Sequence, residues 1–190
     1  MKIFNSPIIS RKYKGSAIAI GNFDGVHKGH QTVFKQAKQF AKKNKIRFGV
    51  LTFTPLPVMF FNKKCSNYRL TSEDQKFKIF KKCGVDFLIN IKFNKTFSKI
   101  SAIKFIKNII YKKINPKLIF VSNNFKFGNK RKGNVNLLKK FGKKYGYKLL
   151  QISPYKYQDK IISSTRIRQY LQTGNIGLAN KLLSRTWFIE

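Results

Sequence analysis

The chain has 190 residues, 42% of them hydrophobic and 15% aromatic, which is enough apolar material for one packed domain and too much for an intrinsically disordered chain. The 41 Lys and Arg against 6 Asp and Glu leave a net charge of +35, so the surface attracts polyanions. Only seven of these basic residues are Arg, and the Lys run along the whole chain, a pattern that fits a general compositional bias better than a dedicated nucleic-acid face.

Taken in chain order, the first fifteen residues lack the apolar stretch of a secretion signal, and residues 16–21 (SAIAIG) form an apolar run stopped by glycine, as in a buried strand entering a turn. Residues 30–44 place Val33, Phe34, Ala37, Phe40 and Ala41 on one helical face with lysines opposite, and 46–53 reads as a second strand. The segment 54–68 (TPLPVMFFNKKCSNY) fits neither pattern and is expected to form a flap over a site. Thr71, Ser72, Glu73 and Asp74 mark a capped helix start, with the helix running to about Lys82 before Gly84. A strand over 85–91 follows, then a helix over 101–113 on Ile103, Ile106, Ile109 and Ile110. Strand 118–122, helix 135–145 and strand 148–153 continue the alternation, and two short helices, 164–172 and 176–183, end it.

This alternation predicts a single domain over 1–190, an α/β, Rossmann-like, doubly wound and mainly parallel sheet with a short helical C-terminal tail. Ligands of such a sheet sit beyond the carboxyl ends of its strands. Cys65 and Cys83 belong to no paired CxxC, so neither a zinc site nor a disulfide framework is indicated. No window of about 18 apolar residues exists. A reducing, cytoplasmic setting without a membrane partner is the expectation.

The loop Gly21-Asn22-Phe23-Asp24-Gly25-Val26-His27-Lys28-Gly29-His30 joins the first strand to the first helix and holds both histidines. Glycines there let the backbone turn sharply and approach an anion, and the helix start adds unpaired N–H groups and the positive end of its dipole. His27 and His30 are three residues apart, so both imidazoles can face one phosphate and stabilise charge that grows in a phosphoryl-type transition state. Roughly 130 residues later, Ile162-Ser163-Ser164-Thr165-Arg166-Ile167-Arg168 puts hydroxyls and N–H groups at a helix start, with a guanidinium one turn on. Such a set can grip phosphates.

The first loop resembles the HxGH signature of the nucleotidyltransferases, and 162–168 looks like the ISSTxIR motif of the same superfamily. The fuller form GNFDGVHKGH is similar to the adenylyltransferase domain of the prokaryotic bifunctional riboflavin kinase/FAD synthetase family. Val121-Ser122-Asn123-Asn124-Phe125-Lys126-Phe127-Gly128, with Arg131 and Gly133, matches that family's vGxDFxFGxxRxG segment, and Leu51-Thr52-Phe53-Thr54-Pro55-Leu56-Pro57 its FTFxPHP loop. Gly84-Val85-Asp86, Gly174-Asn175-Ile176 and Leu183-Ser184-Arg185 follow the family as well, so the resemblance runs from about Ile18 to Arg185. Three positions depart from it: Ser122 replaces the usual Gly, Asn124 the usual Asp and Leu56 the His of the PHP loop.

The resemblance implies a HIGH-type nucleotidyltransferase fold and an FMN adenylyltransferase, in which ATP plus FMN gives FAD plus pyrophosphate, with Mg²⁺ accompanying ATP and no metal site of the chain's own. The FMN phosphate attacks the α-phosphorus in line, so catalysis is mainly positioning and electrostatics. His27, His30 and Asp24 are then the catalytic group. Gly21, Asn22, Phe23, Gly25, Gly29, Ser163, Ser164, Thr165 and Arg168 join them around ATP, while Phe53, Pro55, Phe60, Asn123, Asn124 and Phe125 face FMN. The family's riboflavin kinase domain has no counterpart in these residues, so no kinase activity is expected. An adenylyltransferase for nicotinate mononucleotide or a phosphopantetheine, a flavin-nucleotide binder without turnover, and a basic nucleic-acid-binding module are the alternatives; no helix-turn-helix, RNP-like or zinc pattern supports the last.

Overall fold

The computed structural model describes residues 1–62 and 68–189. In chain order they form β1 (Lys2–Phe4), β2 (Ala17–Ile20), α1 (Lys28–Lys43), β3 (Phe48–Thr54), α2 (Pro57–Phe61), α3 (Glu73–Lys82), β4 (Phe87–Lys92), α4 (Lys95–Ser98), α5 (Ala102–Lys104), β5 (Leu118–Ser122), α6 (Val135–Tyr145), β6 (Lys148–Ile152), β7 (Lys156–Tyr157), β8 (Lys160–Ile161), α7 (Ser164–Gln172) and α8 (Ile176–Leu183). The helix predicted over 101–113 is α5 running into a π-helical stretch, Phe105–Ile114, which closes at Asn115 in the left-handed conformation.

Six strands make one sheet in the order β1-β4-β3-β2-β5-β6, and every neighbouring pair is parallel. Alternate residues feed two apolar layers. Ile18, Ile20, Leu51, Ile89 and Ile119 meet Ile106, Ile109, Ile110, Ile114 and Leu138 on one face. Ala17, Ala19, Val50, Leu88 and Phe120 meet Val33, Phe34 and Ala37 of α1 and Phe80 of α3 on the other. A parallel sheet needs such cover on both faces, which explains its nearly continuous apolar strands. Each fully buried Ile, Leu or Phe contributes roughly 1.5–3 kcal/mol, so these layers hold the site's framework.

From β2 the chain winds outward through β3 and β4, then crosses to β5 and β6 on the other side of β2. The loops leaving β2 and β5 therefore diverge at a topological switch point, where open α/β sheets bind ligands. A third apolar cluster, Leu70, Ile162, Ile167, Ala179, Leu182 and Leu183, packs α7 and α8 together. Part of the predicted flap folds: α2 starts at Pro57, a residue pre-set for a first helical turn. Residues 63–67, including Cys65, lie outside the described residues.

Candidate active site

The loop after β2 is tightly wound. Phe23, Gly25 and Val26 take φ of 48°, 77° and 41°. The left-handed region is open to glycine but costly for a β-branched valine, so local strain is concentrated beside the histidines. A Cβ at Gly25 would also lie 2.8 Å from Leu70 Cδ1. His27 caps α1 in extended conformation, and the helix begins at Lys28, two residues before the predicted start.

His27 and His30 stack with ring centroids 3.6 Å apart at 20°, and the Phe23 ring stands edge-on to His30 at 5.2 Å. The Nδ1 atoms of both imidazoles are buried without a hydrogen-bond partner. Burial, aided by the Arg185 charge, pushes the His27 pKa down to about 4. Burial, and after it His27, holds His30 well below its ordinary value. Two unprotonated rings with unmet hydrogen-bonding atoms at a helix N-terminus form a cradle that an anion would complete.

The second motif closes on the first. Ser163 caps α7 by accepting from the Arg166 N–H at 3.2 Å, and Ser164 Oγ donates to the Asp24 carbonyl at 2.8 Å. The Asp24 carboxylate, only 4% exposed, accepts from the Leu70 N–H at 3.0 and 3.2 Å and pairs with the Arg168 guanidinium. Burial pushes that carboxyl above its ordinary value, while Arg168, the Leu70 N–H and Lys76 pull it back. Arg168 also donates to the Tyr68 carbonyl at 2.7 Å and lies 3.6 Å from the Tyr68 ring centre. Asp24 and Arg168 are thus engaged with each other, locking loop to helix. Thr165 is exposed beside them. Gly21 donates to the Leu51 carbonyl at 3.1 Å, the Asn22 carbonyl accepts from Thr52 Oγ1 at 3.1 Å, and Gly29 packs against the His27 ring.

The residues expected to face FMN lie past β3 and β5. Asn123 and Asn124 are exposed, with Ser122 Oγ donating to Asn124 Oδ1 at 2.9 Å. The aromatics form a continuous series of ring contacts from Phe60 through Phe93, Phe97, Phe105 and Phe127 to Phe125, and Phe53 joins it at Phe93 and Phe97. Phe53, Phe60 and Phe125, distant in sequence, therefore belong to one seam. Pro55 is half-buried, and Leu56 sits in the core. Thr54 Oγ1 lies 3.0 Å from both Glu73 Oε2 and Asn90 Oδ1, which ties the start of this segment to α3 and β4. Among the described residues no group of three or more His, Cys, Asp or Glu could hold a metal ion.

Two basic residues beside the loop had no role assigned from sequence. Arg185 follows α8, and Lys76 on α3 is 5% exposed, its ammonium held below the ordinary value by burial although Asp24 and Glu73 favour its charge. Leu183-Ser184-Arg185 stood out only as a family pattern. Lys76 carried no signal apart from its place on the inner face of a helix.

A parallel switch-point sheet with paired imidazoles at its first helix N-terminus, closed by a second serine-rich helix start, defines a nucleotidyltransferase-type α/β protein. The chain belongs to the FAD synthetase family, whose model matches residues 9–166. The bifunctional riboflavin kinase/FMN adenylyltransferase of Buchnera aphidicola subsp. Schizaphis graminum (strain Sg) is 46% identical over 176 residues, covering 92% of this chain and 56% of that protein. The protein of the same name in Escherichia coli (strain K12) is 32% identical over 177 residues, 93% of this chain and 56% of its own. The chain thus spans a little over half the length of these relatives. A crystal structure described as a macrolide-efflux protein from Streptococcus pneumoniae superposes with a TM-score of 0.82 at 27% identity, over 96% of this chain and 59% of that one. Among the described residues no helix is long and apolar enough to cross a membrane.

Proposed function

We propose that these residues form an FMN adenylyltransferase, which transfers the adenylyl group of ATP to FMN and releases pyrophosphate. The observation that carries this is the convergence at one switch point of the stacked His27–His30 pair, the α7 start joined to it through Ser164 and Asp24, and the exposed Asn123–Asn124 turn after β5. The family match and the relatives named for this activity support the choice of FMN as acceptor.

His27 and His30 donate hydrogen bonds to the phosphate oxygens of ATP and stabilise charge as the bond from the α-phosphorus to the bridging oxygen breaks. Asn22, Gly25 and Gly29 let the backbone follow the nucleotide. Ser163 and Thr165 hold the departing pyrophosphate, and the bond from Ser164 to the Asp24 carbonyl fixes the two motifs relative to each other. Asp24 acts as a positioning residue, its carboxylate held by Arg168 and the Leu70 N–H, and Arg168, which fixes it, keeps Nη1 for the phosphates. With Asp24 so engaged, the chain's own residues make a poor Mg²⁺ site, and the ion enters as part of the MgATP substrate. The Phe53–Phe60–Phe125 seam and Asn123–Asn124 receive the flavin and its phosphate, with ring stacking on the aromatic face.

Incubation with ATP, Mg²⁺ and each candidate acceptor, followed by pyrophosphate release, tests the assignment. FMN should support release, whereas nicotinate mononucleotide, phosphopantetheine and riboflavin should not. Release with either non-flavin acceptor in place of FMN overturns it.

A further inference from the structure

Four buried side-chain nitrogen or oxygen atoms have no hydrogen-bond partner among the described residues: Ser16 Oγ, His27 Nδ1, His30 Nδ1 and Arg185 Nη2. Three of the four belong to the histidine cradle and to an arginine whose charge acts on His27. Unmet buried polar atoms are rare in folded proteins, and a cluster of them marks a place where a partner is missing.

Hydrogen bonds from α1 and the turn after α8 hold the Arg185 segment there. Gln31 on α1 donates through Nε2 to the Val26 carbonyl at 2.9 Å and the Leu183 carbonyl at 3.1 Å, tying the end of α8 to the loop before His27. Ser184 then turns in the left-handed conformation, with φ of 57°, and Arg185 donates from its backbone N–H to the Asn180 carbonyl at 3.3 Å. Its only intramolecular side-chain hydrogen bond among the described residues runs from Nη1 to the Leu183 carbonyl at a long 3.4 Å. Arg185 lines a pocket of about 170 Å³ with Gln75, Lys78 and Lys82 of α3, and its neighbour Ser184 lines a separate groove of about 460 Å³ with Lys28, Gln31 and Lys35 of α1; the charged side chains of both are basic, with no acidic one.

Arg168 already gives Nε to the Tyr68 carbonyl and Nη2 to the Asp24 carboxylate, so part of its guanidinium is engaged. We propose that Arg185 is a further anion-binding arm of the donor site, whose free guanidinium N–H engages the polyphosphate of the nucleotide donor alongside His27 and His30. This rests on the nucleotidyl-transfer assignment above but not on FMN as the acceptor. A guanidinium is permanently charged, so it supplies the fixed positive charge that two neutral imidazoles lack.

The test is calorimetric binding of inorganic pyrophosphate to the wild-type chain and to Arg185→Gln, Arg185→Lys and Lys139→Gln, the last removing an exposed surface charge on α6. Circular dichroism checks that each variant folds. The expected result is a loss of affinity of about tenfold or more in Arg185→Gln, partial recovery in Arg185→Lys and little change in Lys139→Gln. The KM for ATP should rise in Arg185→Gln, and the His27 pKa, followed by NMR, should rise once the neighbouring charge is gone. Unchanged pyrophosphate affinity in Arg185→Gln, an equal loss in Lys139→Gln, or no pyrophosphate binding by the wild type overturns the proposal. If pyrophosphate binding depends on Arg185 but no FAD forms, the proposal stands and the FMN assignment fails; the converse result rejects Arg185 and leaves FMN transfer intact.

Discussion

In the proposed reaction the two imidazoles carry the chemistry, because burial keeps them neutral and leaves their Nδ1 atoms without a hydrogen-bond partner. Replacing His30 with Ala should lower turnover on the order of a hundredfold with the circular dichroism spectrum unchanged, since His30 sits in the first turn of α1 and its ring contacts are with His27 and Phe23. Activity within a factor of two of wild type would remove His30 from the mechanism. The same burial has a pH signature. With the folded His27 pKa near 4 and the unfolded value near 6.5, the unfolded chain binds more protons between those values, so stability falls as pH drops through that window. The loss for His27 alone approaches something on the order of 3 kcal/mol. Thermal midpoints between pH 7.5 and 4.5 measure it, and the decline should be smaller in His27→Gln. A bound polyanion favours the charged rings, so saturating pyrophosphate should raise the His27 and His30 pKa values, followed by NMR of their ring protons. Unchanged or lowered values would contradict the cradle.

At the level of elements, the site is a junction between the loop after β2 and the start of α7, and its strength lies in the Asp24–Arg168 pair. Removing one partner of a buried ion pair strands the other and costs about 3–5 kcal/mol. Asp24→Asn should therefore destabilise the chain strongly in urea melts, and Asp24→Asn combined with Arg168→Met should recover part of the loss. If the double variant is less stable than the single, the pair is not the clamp described. Most of these elements are legible in the sequence, because strands and helices of this fold carry long apolar patterns: β2, α1, β3, α3, β4, β5, α6, β6, α7 and α8 all fall on or near their predicted spans. The short ones are not. β1 has three residues, too few to show a period, and exists because it pairs with β4. The β7–β8 hairpin turns on Gln158 and Asp159, both at positive φ, without the Asn-Gly or Asp-Gly pair that announces such a turn. In the site, the motif residues are legible as phosphate-binding chemistry. That Arg168 pairs with Asp24, and that Arg185 keeps Nη2 without a partner among the described residues, depends on packing between elements about 100 residues or more apart and leaves no local trace.

For the molecule as a whole, the charge of +35 and the chemistry of the cleft are separate matters. A lysine-rich surface captures nucleic acid nonspecifically, and such binding falls steeply between about 50 and 200 mM salt. Electrophoretic mobility shifts with unrelated RNAs should disappear over that range without sequence preference, and persistent selective binding would point to a dedicated nucleic-acid face. The proposed adenylyl transfer belongs to the switch point, where one parallel sheet brings the loop after β2 and the turn after β5 to the same edge. Incubating the protein with ATP labelled at the α-phosphorus, Mg²⁺ and FMN measures this directly. The label should appear in FAD in proportion to the pyrophosphate released. Label that stays in ATP, or leaves as free AMP with no flavin product, would contradict the assignment.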